Sequence, residues 1–445
     1  DEHEQIITHT RYSTEPGDSA VGAHPFECRT TGLKLALNGE LRGQSLAILA
    51  KKNDLDPRNF GNKTELLTNI IGSTLARREE KKALTVEETG KTLRRLFAQL
   101  EGAFCLSIIF RDMSILVRDP WGRHPLSVGF LPDGKIVGAS ESMAFDDIGD
   151  QDDPHLPFLE VRDVEPGEII IRTSDTIQSF NIPRKVDHKL CPYEVIYIAD
   201  ERSVVYGAPV WQARYNMGVE LAKAEGAPPD VDIVVGVPNT GIASAQGYAE
   251  AHGKLFMPQA ITKNPKYPKN MRTFISEGEA QQALLATKFI VDKSIVEGKK
   301  VASDDDSTIK GNVYRQTNGQ LEEAGATEIH NRSSSPPYRS PCTYGMDTTD
   351  VSKLVARGER TEEEVAKDLG AKSMRYNTPE AVEKAIDDAK NDFEAHIGKR
   401  TPSLLGRFCW ECVSPVQVSP VDSLTTTIYA ADHETQQEQE LAKVA

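Results

Sequence analysis

The sequence predicts a composite fold: an α+β half followed by an α/β half. Three observations carry this expectation. The chain has 445 residues, enough for two or three domains that each bury a core. Residues 1–185 read as strands, then helices, then strands again, a pattern that implies two sheets with helices packed outside them. Asp232–Val237 is a nearly continuous apolar run followed by a polar turn and a helix, the signature of a strand buried inside a parallel sheet.

In the first half, Ile6–His9 reads as a strand and Tyr12–Gly17 as a turn-rich loop. Leu33–Leu37 is a short apolar strand that runs into Asn38-Gly39, by itself a hairpin signal. Helices are expected over Ser45–Asp54, Thr64–Arg78 and Thr85–Glu101, the last opening on a Thr85-x-x-Glu88 capping box. Strands follow at Phe104–Phe110, Ser114–Val117, Leu126–Phe130, Lys135–Ala139 and Glu168–Arg172. Residues 186–202 form the join. In the second half, 186–400, an amphipathic helix interrupted by Gly218 spans Trp211–Ala224, and a second helix spans Ala245–His252. Helix is expected again over Tyr314–Ala324, Thr361–Leu369 and Pro379–His396, with a short strand at Glu328–Asn331. Residues 401–445 carry a cysteine pair and a polar tail from His433.

Two turns in the second half are candidates for chemistry, although the first, taken alone, reads as an ordinary strand-to-helix turn. Pro238-Asn239-Thr240-Gly241 ends the apolar strand, and ligands of open α/β sheets bind at such carboxyl ends. Lys299–Arg315 contains three consecutive acids, Asp304–Asp306, then Ser307, Thr308, Lys310 and Gly311. Adjacent carboxylates repel, so the run gains from a cation or from donors that hold both acids. Carboxylates suit Mg²⁺ shared with substrate phosphates, and a turn with free N–H groups before a helix suits an anion. The same residues also suit a solvated acidic loop with a Ser or Thr cap, and local pattern alone leaves both open.

Net charge is −15, which argues against nucleic acid as a partner, since phosphate backbones demand clustered Lys and Arg. No run is long and apolar enough to span a membrane, and no secretory signal is evident. Six cysteines in a chain of this size do not make a disulfide scaffold, so a cytoplasmic, reducing setting is expected. Cys409-Trp410-Glu411-Cys412 is a C-x-x-C pair. An iron–sulfur cluster or structural zinc needs four thiolates, and spacing does not choose Cys191 and Cys342 over Cys28 and Cys105 as the other two.

These runs resemble the amidophosphoribosyltransferase family. Asp305-Asp306-Ser307-Thr308-Ile309-Lys310-Gly311-Asn312-Val313-Tyr314 is similar to that family's phosphoribosyl-pyrophosphate (PRPP) run, D-D-S-I-V-R-G-T-T-S. The acids, serine and glycine match. Asn312, Val313 and Tyr314 replace the residues that help hold the sugar 5′-phosphate, and Ser303 and Asp304 stand where the preceding strand should be apolar. H-T-R-Y-S-T, L-N-G-E-L, R-D-P-W-G-R-H-P-L, A-S-E-S and V-E-P-G-E-I resemble landmarks of the same family's glutaminase half. S-S-P-P with P-C-T-Y-G-M-D resembles a later landmark. The resemblance runs from His9 to Cys412.

The resemblance implies a truncated N-terminal-nucleophile (Ntn) hydrolase αββα sandwich followed by a type I phosphoribosyltransferase sheet. It implies formation of phosphoribosylamine from PRPP with glutamine or ammonia. Arg11 would grip the glutamine carboxylate, while the Asn38 side chain and Gly39 N–H would form an oxyanion hole. Lys263 and Arg272 would belong to a loop closing over PRPP, and Lys288 would support its pyrophosphate. Asp305, Asp306, Ser307 and Gly311 would hold PRPP, with Thr240, Asp305 and Asp306 around Mg²⁺. Cys191, Cys342, Cys409 and Cys412 match the cysteines of the branch that carries a [4Fe–4S] cluster. Further partners implied are purine nucleotides as regulators and other copies of the chain. Two departures concern the amide site. The family's nucleophile is a cysteine at the mature N-terminus, whereas this sequence begins with Asp1, and Lys63 falls where an aspartate holds the substrate ammonium. The chain as given is therefore expected not to hydrolyse glutamine, and Asn312, Val313, Tyr314, Lys63 and Asn239 leave open the alternative of a non-catalytic PRPP- or nucleotide-binding, or assembly, relative of the same fold.

Overall fold

A computed structural model describes residues 5–10, 22–146, 160–266, 288–346, 348 and 350–415. Arg11, Arg272 and the tail from His433 lie outside the described residues. The described residues form two compact units. One runs to Leu190 and takes in Thr343–Met346; the other begins at Cys191 and holds the rest.

The first unit contains β1 (Phe26–Glu27), β2 (Lys34–Leu41), β3 (Gly102–Phe110), β4 (Met113–Arg118), β5 (Ser127–Phe130), β6 (Ile136–Ala139), β7 (Glu160–Asp163), β8 (Glu168–Arg172) and β9 (Ile177–Asn181). Its helices are α1 (Gly43–Lys52), α2 (Lys63–Glu79) and α3 (Val86–Phe97). Six strands form one antiparallel sheet in the order β1-β2-β3-β4-β8-β9, and three form a second in the order β6-β5-β7. Strand alternation gives the larger sheet two apolar faces. Phe104, Leu106 and Ile108 pack with Leu67, Ile70, Leu93 and Phe97 of the helices. Cys105, Leu116 and Ile170 pack with Val128 of the smaller sheet. The described residues thus show an α, a β and a second β layer.

Ile6–His9 forms no strand: Ile6 is 74% exposed and the residues of the other face are only half-buried, with the His9 ring against that of His24. Asn38-Gly39 makes no hairpin either. β2 continues through it, with Asn38 opposite Cys105 and Gly39 opposite Phe104. The glycine answers a close approach: at its φ of +136°, an added Cβ would lie 2.1 Å from the Ala103 carbonyl oxygen. Thr85 caps α3 by accepting from the Glu88 N–H, but the Glu88 carboxylate turns to Arg78 and Lys82, so only half of the capping box forms.

The second unit is built on β12 (Ile233–Gly236), β13 (Leu255–Phe256), β16 (Lys300–Asp305), β17 (Glu328–Ser333) and β18 (Ser373–Tyr376). Two antiparallel pairs accompany them, β10 (Val204–Val205) with β11 (Ala208–Pro209) and β14 (Ile261–Lys263) with β15 (Phe289–Val291). Its helices are α4 (Val210–Glu225), α5 (Gly241–His252), α6 (Lys293–Val296), α7 (Asn312–Glu323), α8 (Glu362–Leu369) and α9 (Pro379–His396). The five main strands are all parallel, in the order β13-β12-β16-β17-β18. In sequence terms this is 2-1-3-4-5, so the order reverses between β12 and β16. Val235, Val301 and Leu321 fill one face of the sheet; Val234, Ala302 and Tyr248 fill the other.

α4 is continuous through Gly218, whose missing side chain lets the helix lie directly against the Ser244 carbonyl of α5. Ser303 and Asp304 do not break β16. Both are fully buried inside it, and Asp304 is satisfied by the hydroxyls of Ser244 and Ser334.

Candidate active site

Asp305 and Asp306 stand at the carboxyl end of β16, beside the point where the strand order reverses. Thr240, in the turn after β12, meets them there: its hydroxyl donates to Asp306 Oδ2. Ser307 Oγ donates to Asp306 Oδ1 at 2.5 Å, and the Asp306 N–H donates to Asp305 Oδ1 at 2.9 Å. Backbone bonds fix the pair from the residues just after β17, with Ser334 N on Asp305 O and Ser335 N on Asp306 O, each at 3.0 Å. Burial pushes the Asp305 carboxyl well above the ordinary range, and the charge of Asp306 pushes it further. Burial also raises Asp306, against the pull of Ser307, Thr240, Arg214 and Lys288.

The antiparallel β14–β15 pair brings in the predicted lysines, Lys263 on β14 and Lys288 just before β15. Burial lowers both Lys263 and Lys288, while Asp306 opposes it at Lys263 and both acids oppose it at Lys288. An exposed lysine, Lys263, and a half-buried one, Lys288, therefore share one region at a sheet switch point with the buried Asp305 and the half-buried Asp306. Gly311, at φ +76°, is the N-cap of α7, so Ser307 and Gly311 frame the loop between the acids and that helix.

Tyr314 resolves one departure from the family run. It is 1% exposed, and its phenol donates to the Arg332 carbonyl, with the Ser303 carbonyl at 3.4 Å. The side chain therefore pins α7 beneath the sheet instead of facing the loop.

Sequence pattern does not single out Arg214 or Tyr197, yet Arg214 acts on Asp306 and Tyr197 feels the charge of Asp306. Arg214 caps the π-helical turn Glu194–Ile198 through Val195 O and Ala199 O, at 2.9 and 2.8 Å, and pulls on Asp306. Burial raises Tyr197 and the charge of Asp306 adds to it. The available signal is an arginine on the stripe of α4 that also holds Val210, Ala213, Met217 and Leu221, all buried.

The four predicted cysteines belong to one unit and one neighbourhood. Burial raises the Cys191 thiol, and the charges of Glu194, Cys342, Cys412 and Cys409 raise it further. Cys412 is raised by burial and then by Cys342 and Cys409. Arg339 N and Ser340 N both donate to the Cys412 carbonyl, at 2.8 and 3.0 Å, which draws the segment before Cys342 to the C-x-x-C pair. Cys28 and Cys105 sit in the core of the other unit. The thiols gather without closing: among the described residues, no three His, Cys, Asp or Glu side chains are grouped to hold a metal ion.

In the first unit, Asn38 is exposed on β2 and Gly39 follows it. Gly345 lies against Gly39 and His124. The Tyr344 ring sits between two guanidinium groups, 3.7 Å from that of Arg123 and 5.4 Å from that of Arg42, and its hydroxyl accepts from Arg42 at 2.9 Å. His124 Nε2 donates to the Tyr344 carbonyl at 2.9 Å. Lys63 turns to the same strand, pairing with Glu40 and donating to the Leu41 carbonyl at 3.0 Å.

A parallel sheet whose switch point carries an acid pair, a hydroxyl and two lysines defines a protein of the open α/β class, in which ligands bind at such switch points. The chain belongs to the amidophosphoribosyltransferase family. It is 32% identical to the amidophosphoribosyltransferase of Bacillus subtilis over 390 residues, covering 87% of this chain and 76% of that protein. It is 32% identical to that of Methanocaldococcus jannaschii, covering 85% of this chain and 79% of that protein. A solved glutamine PRPP amidotransferase from B. subtilis, complexed with ADP and GMP, matches with a TM-score of 0.71 and 28% identity over 93% of this chain and 84% of that one. A structure described as the allosteric regulatory enzyme of purine biosynthesis matches with a TM-score of 0.73 and 28% identity, over 93% of this chain and 82% of that one. No family model matches. No described helix is long and apolar enough to cross a membrane.

Proposed function

We propose that the chain is an amidophosphoribosyltransferase of de novo purine biosynthesis, forming 5-phosphoribosylamine from PRPP with nitrogen from glutamine or ammonia. The observation that carries this reading is the convergence of Thr240, Asp305 and Asp306 at the β12/β16 switch point, within electrostatic reach of Lys263 and Lys288.

Asp305 and Asp306 accept from the ribose hydroxyls and fix the sugar with its anomeric carbon open to the amine. Lys263 and Lys288 place positive charge beside the departing pyrophosphate, and the partial burial of Lys288 strengthens its attraction. Ser307 and the loop ending at Gly311 receive the 5′-phosphate at the start of α7. The oxygen donors of Thr240, Asp305 and Asp306 suit Mg²⁺, and two adjacent carboxyls raised by burial call for a cation. These three residues would hold it, and when bound it supplies Lewis acidity to the leaving group. Arg272 joins the PRPP loop and Arg11 the glutamine carboxylate in this reading. Asn38 and Gly39 stand where the family's donors to the amide oxyanion stand, but Lys63 in place of the ammonium-holding aspartate opposes glutamine, so ammonia is the nitrogen source of the test below.

Cys191, Cys342, Cys409 and Cys412 form the ligand set for a [4Fe–4S] cluster with a structural role. What supports the set is that Cys342, Cys409 and Cys412 all act on the Cys191 thiol, which puts the four in one neighbourhood, and a [4Fe–4S] cluster needs four thiolates. Purine nucleotides act as regulators, further copies of the chain complete the assembly, and the setting is the cytoplasm. The test is pyrophosphate release from PRPP with Mg²⁺ and ammonium. Wild-type protein should release it, and Asp305→Asn and Asp306→Asn should each abolish it. Release that survives both substitutions overturns the reading.

A further inference from the structure

We infer that Asp304, Ser244 and Ser334 form a buried bracket that clamps the start of α5 onto β16, and that Asp304 is thereby a positioning residue for Thr240 and Asp306. The bracket deepens the phosphoribosyl-site reading and rests on it for what the site binds.

The position is one where strand pattern calls for an apolar side chain. Ile233 to Val235 and Val301 to Ala302 are all buried apolar neighbours in the same pair of strands. Asp304 is nevertheless present, 0% exposed, on the sheet face covered by α4 and α5. An unpartnered carboxyl there would cost several kcal/mol by general expectation. It is held instead by two serine hydroxyls that are themselves buried, Ser244 at 3.2 Å from Oδ2 and Ser334 at 3.2 Å from Oδ1. The two serine oxygens lie 2.5 Å from each other, which closes the triangle.

Each corner belongs to a different element. Asp304 is on β16, Ser244 is in the first turn of α5, and Ser334 follows β17. The backbone repeats the connections: Val237 N donates to Asp304 O at 2.8 Å, Gly241 N to Val237 O at 3.0 Å, and Ser334 N to Asp305 O at 3.0 Å. α5 approaches so closely that a Cβ on Gly241 would stand 2.8 Å from Asp304 O and 3.0 Å from Asp305 Cα. Thr240 is the residue immediately before this turn, and its hydroxyl is on Asp306. Releasing the bracket frees the turn that carries Thr240, without removing any group that touches the sugar or its phosphates.

The experiment uses the full chain with Asp304→Ala, Asp304→Asn and Ser334→Ala. Hydrogen exchange over Gly241–Ala249 reads the clamp with no substrate present. Steady-state kinetics with PRPP, Mg²⁺ and ammonium read its consequence. Asp304→Ala should speed exchange there and raise KM for PRPP by about tenfold each, with kcat changed by less than about threefold, as expected for lost buried hydrogen bonds that orient rather than react. Asp304→Asn keeps a polar partner for the serines and should restore most of both. A folded Asp304→Ala protein with wild-type exchange and KM overturns the inference, as does an Asn variant as impaired as the Ala variant. If Asp304→Ala does not fold, Ser334→Ala takes its place: faster exchange with a raised KM supports the bracket, and wild-type values of both overturn it. A wild-type chain that releases no pyrophosphate counts against the functional reading alone, and the exchange contrast still decides the bracket.

Discussion

Replacing Tyr314 with Phe separates two accounts of the altered phosphate loop. If Tyr314 stands in the loop as a substitute for a phosphate-binding hydroxyl, losing the phenol should weaken PRPP binding. The structure says otherwise: the phenol is buried and donates to the Arg332 carbonyl, away from the loop mouth. Removing it deletes one buried hydrogen bond while the ring keeps its packing against Val355, Val365, Leu369 and Met374. The expected cost is about 1 kcal/mol. For a unit of this size that lowers Tm by about 2–4 °C. Tyr314→Ser, which restores the family's residue type, removes the ring as well and should cost about 3–5 kcal/mol through the cavity it leaves. Urea unfolding followed by far-UV circular dichroism measures the stabilities, and calorimetric titration with PRPP and Mg²⁺ measures affinity. Tyr314→Phe should bind PRPP as the wild type does. A Tyr314→Phe protein of unchanged stability that has lost PRPP affinity refutes the reasoning.

Three other outcomes follow from the structure. Gly39→Ala should destabilise the first unit by about 2–5 kcal/mol in thermal unfolding, since the new methyl meets the Ala103 carbonyl and the residue must hold φ +136°. Arg78 and Lys82 hold the Glu88 carboxyl down to about 2, so its stabilising contribution is complete above the unfolded carboxyl range near 4.5 and is lost as pH falls toward 2. Acid titration of Glu88→Gln should therefore show a shallower loss of stability across that window, and an unchanged slope counts against the pairing. Anaerobically purified protein should contain iron and sulfide, and Cys342→Ser and Cys412→Ser should each abolish both; a colourless protein with bound zinc would favour the all-thiolate zinc site instead.

Where a local signal coincides with the tertiary demand, the sequence is legible to the residue. Pro379–His396 is the expected helix because Thr378 caps it and Pro379 occupies its first turn, both purely local devices. β8 likewise has the expected limits, Glu168–Arg172. Sequence and structure part where a distant partner decides. Asn38-Gly39 carries a turn signal, but pairing with β3 across eight residues of β2 outweighs it. Ser303 and Asp304 look like damage to a strand until Ser244 and Ser334 are brought to them from elsewhere in the chain. Thr343–Met346 belongs to the first unit although it follows Cys342 of the second, and no periodicity marks that crossing. Of the site, the acid pair, Thr240 and the lysines are legible as motifs. Arg214 is not, because its role depends on the π-helical turn that it caps.

The most direct test of phosphoribosylamine formation is a ³¹P spectrum of PRPP mixed with stoichiometric protein, Mg²⁺ and ammonium. Conversion of the diphosphate signals to free pyrophosphate, with a new sugar-phosphate resonance from phosphoribosylamine, is the predicted result. PRPP that persists unchanged beside folded, metal-replete protein would contradict it.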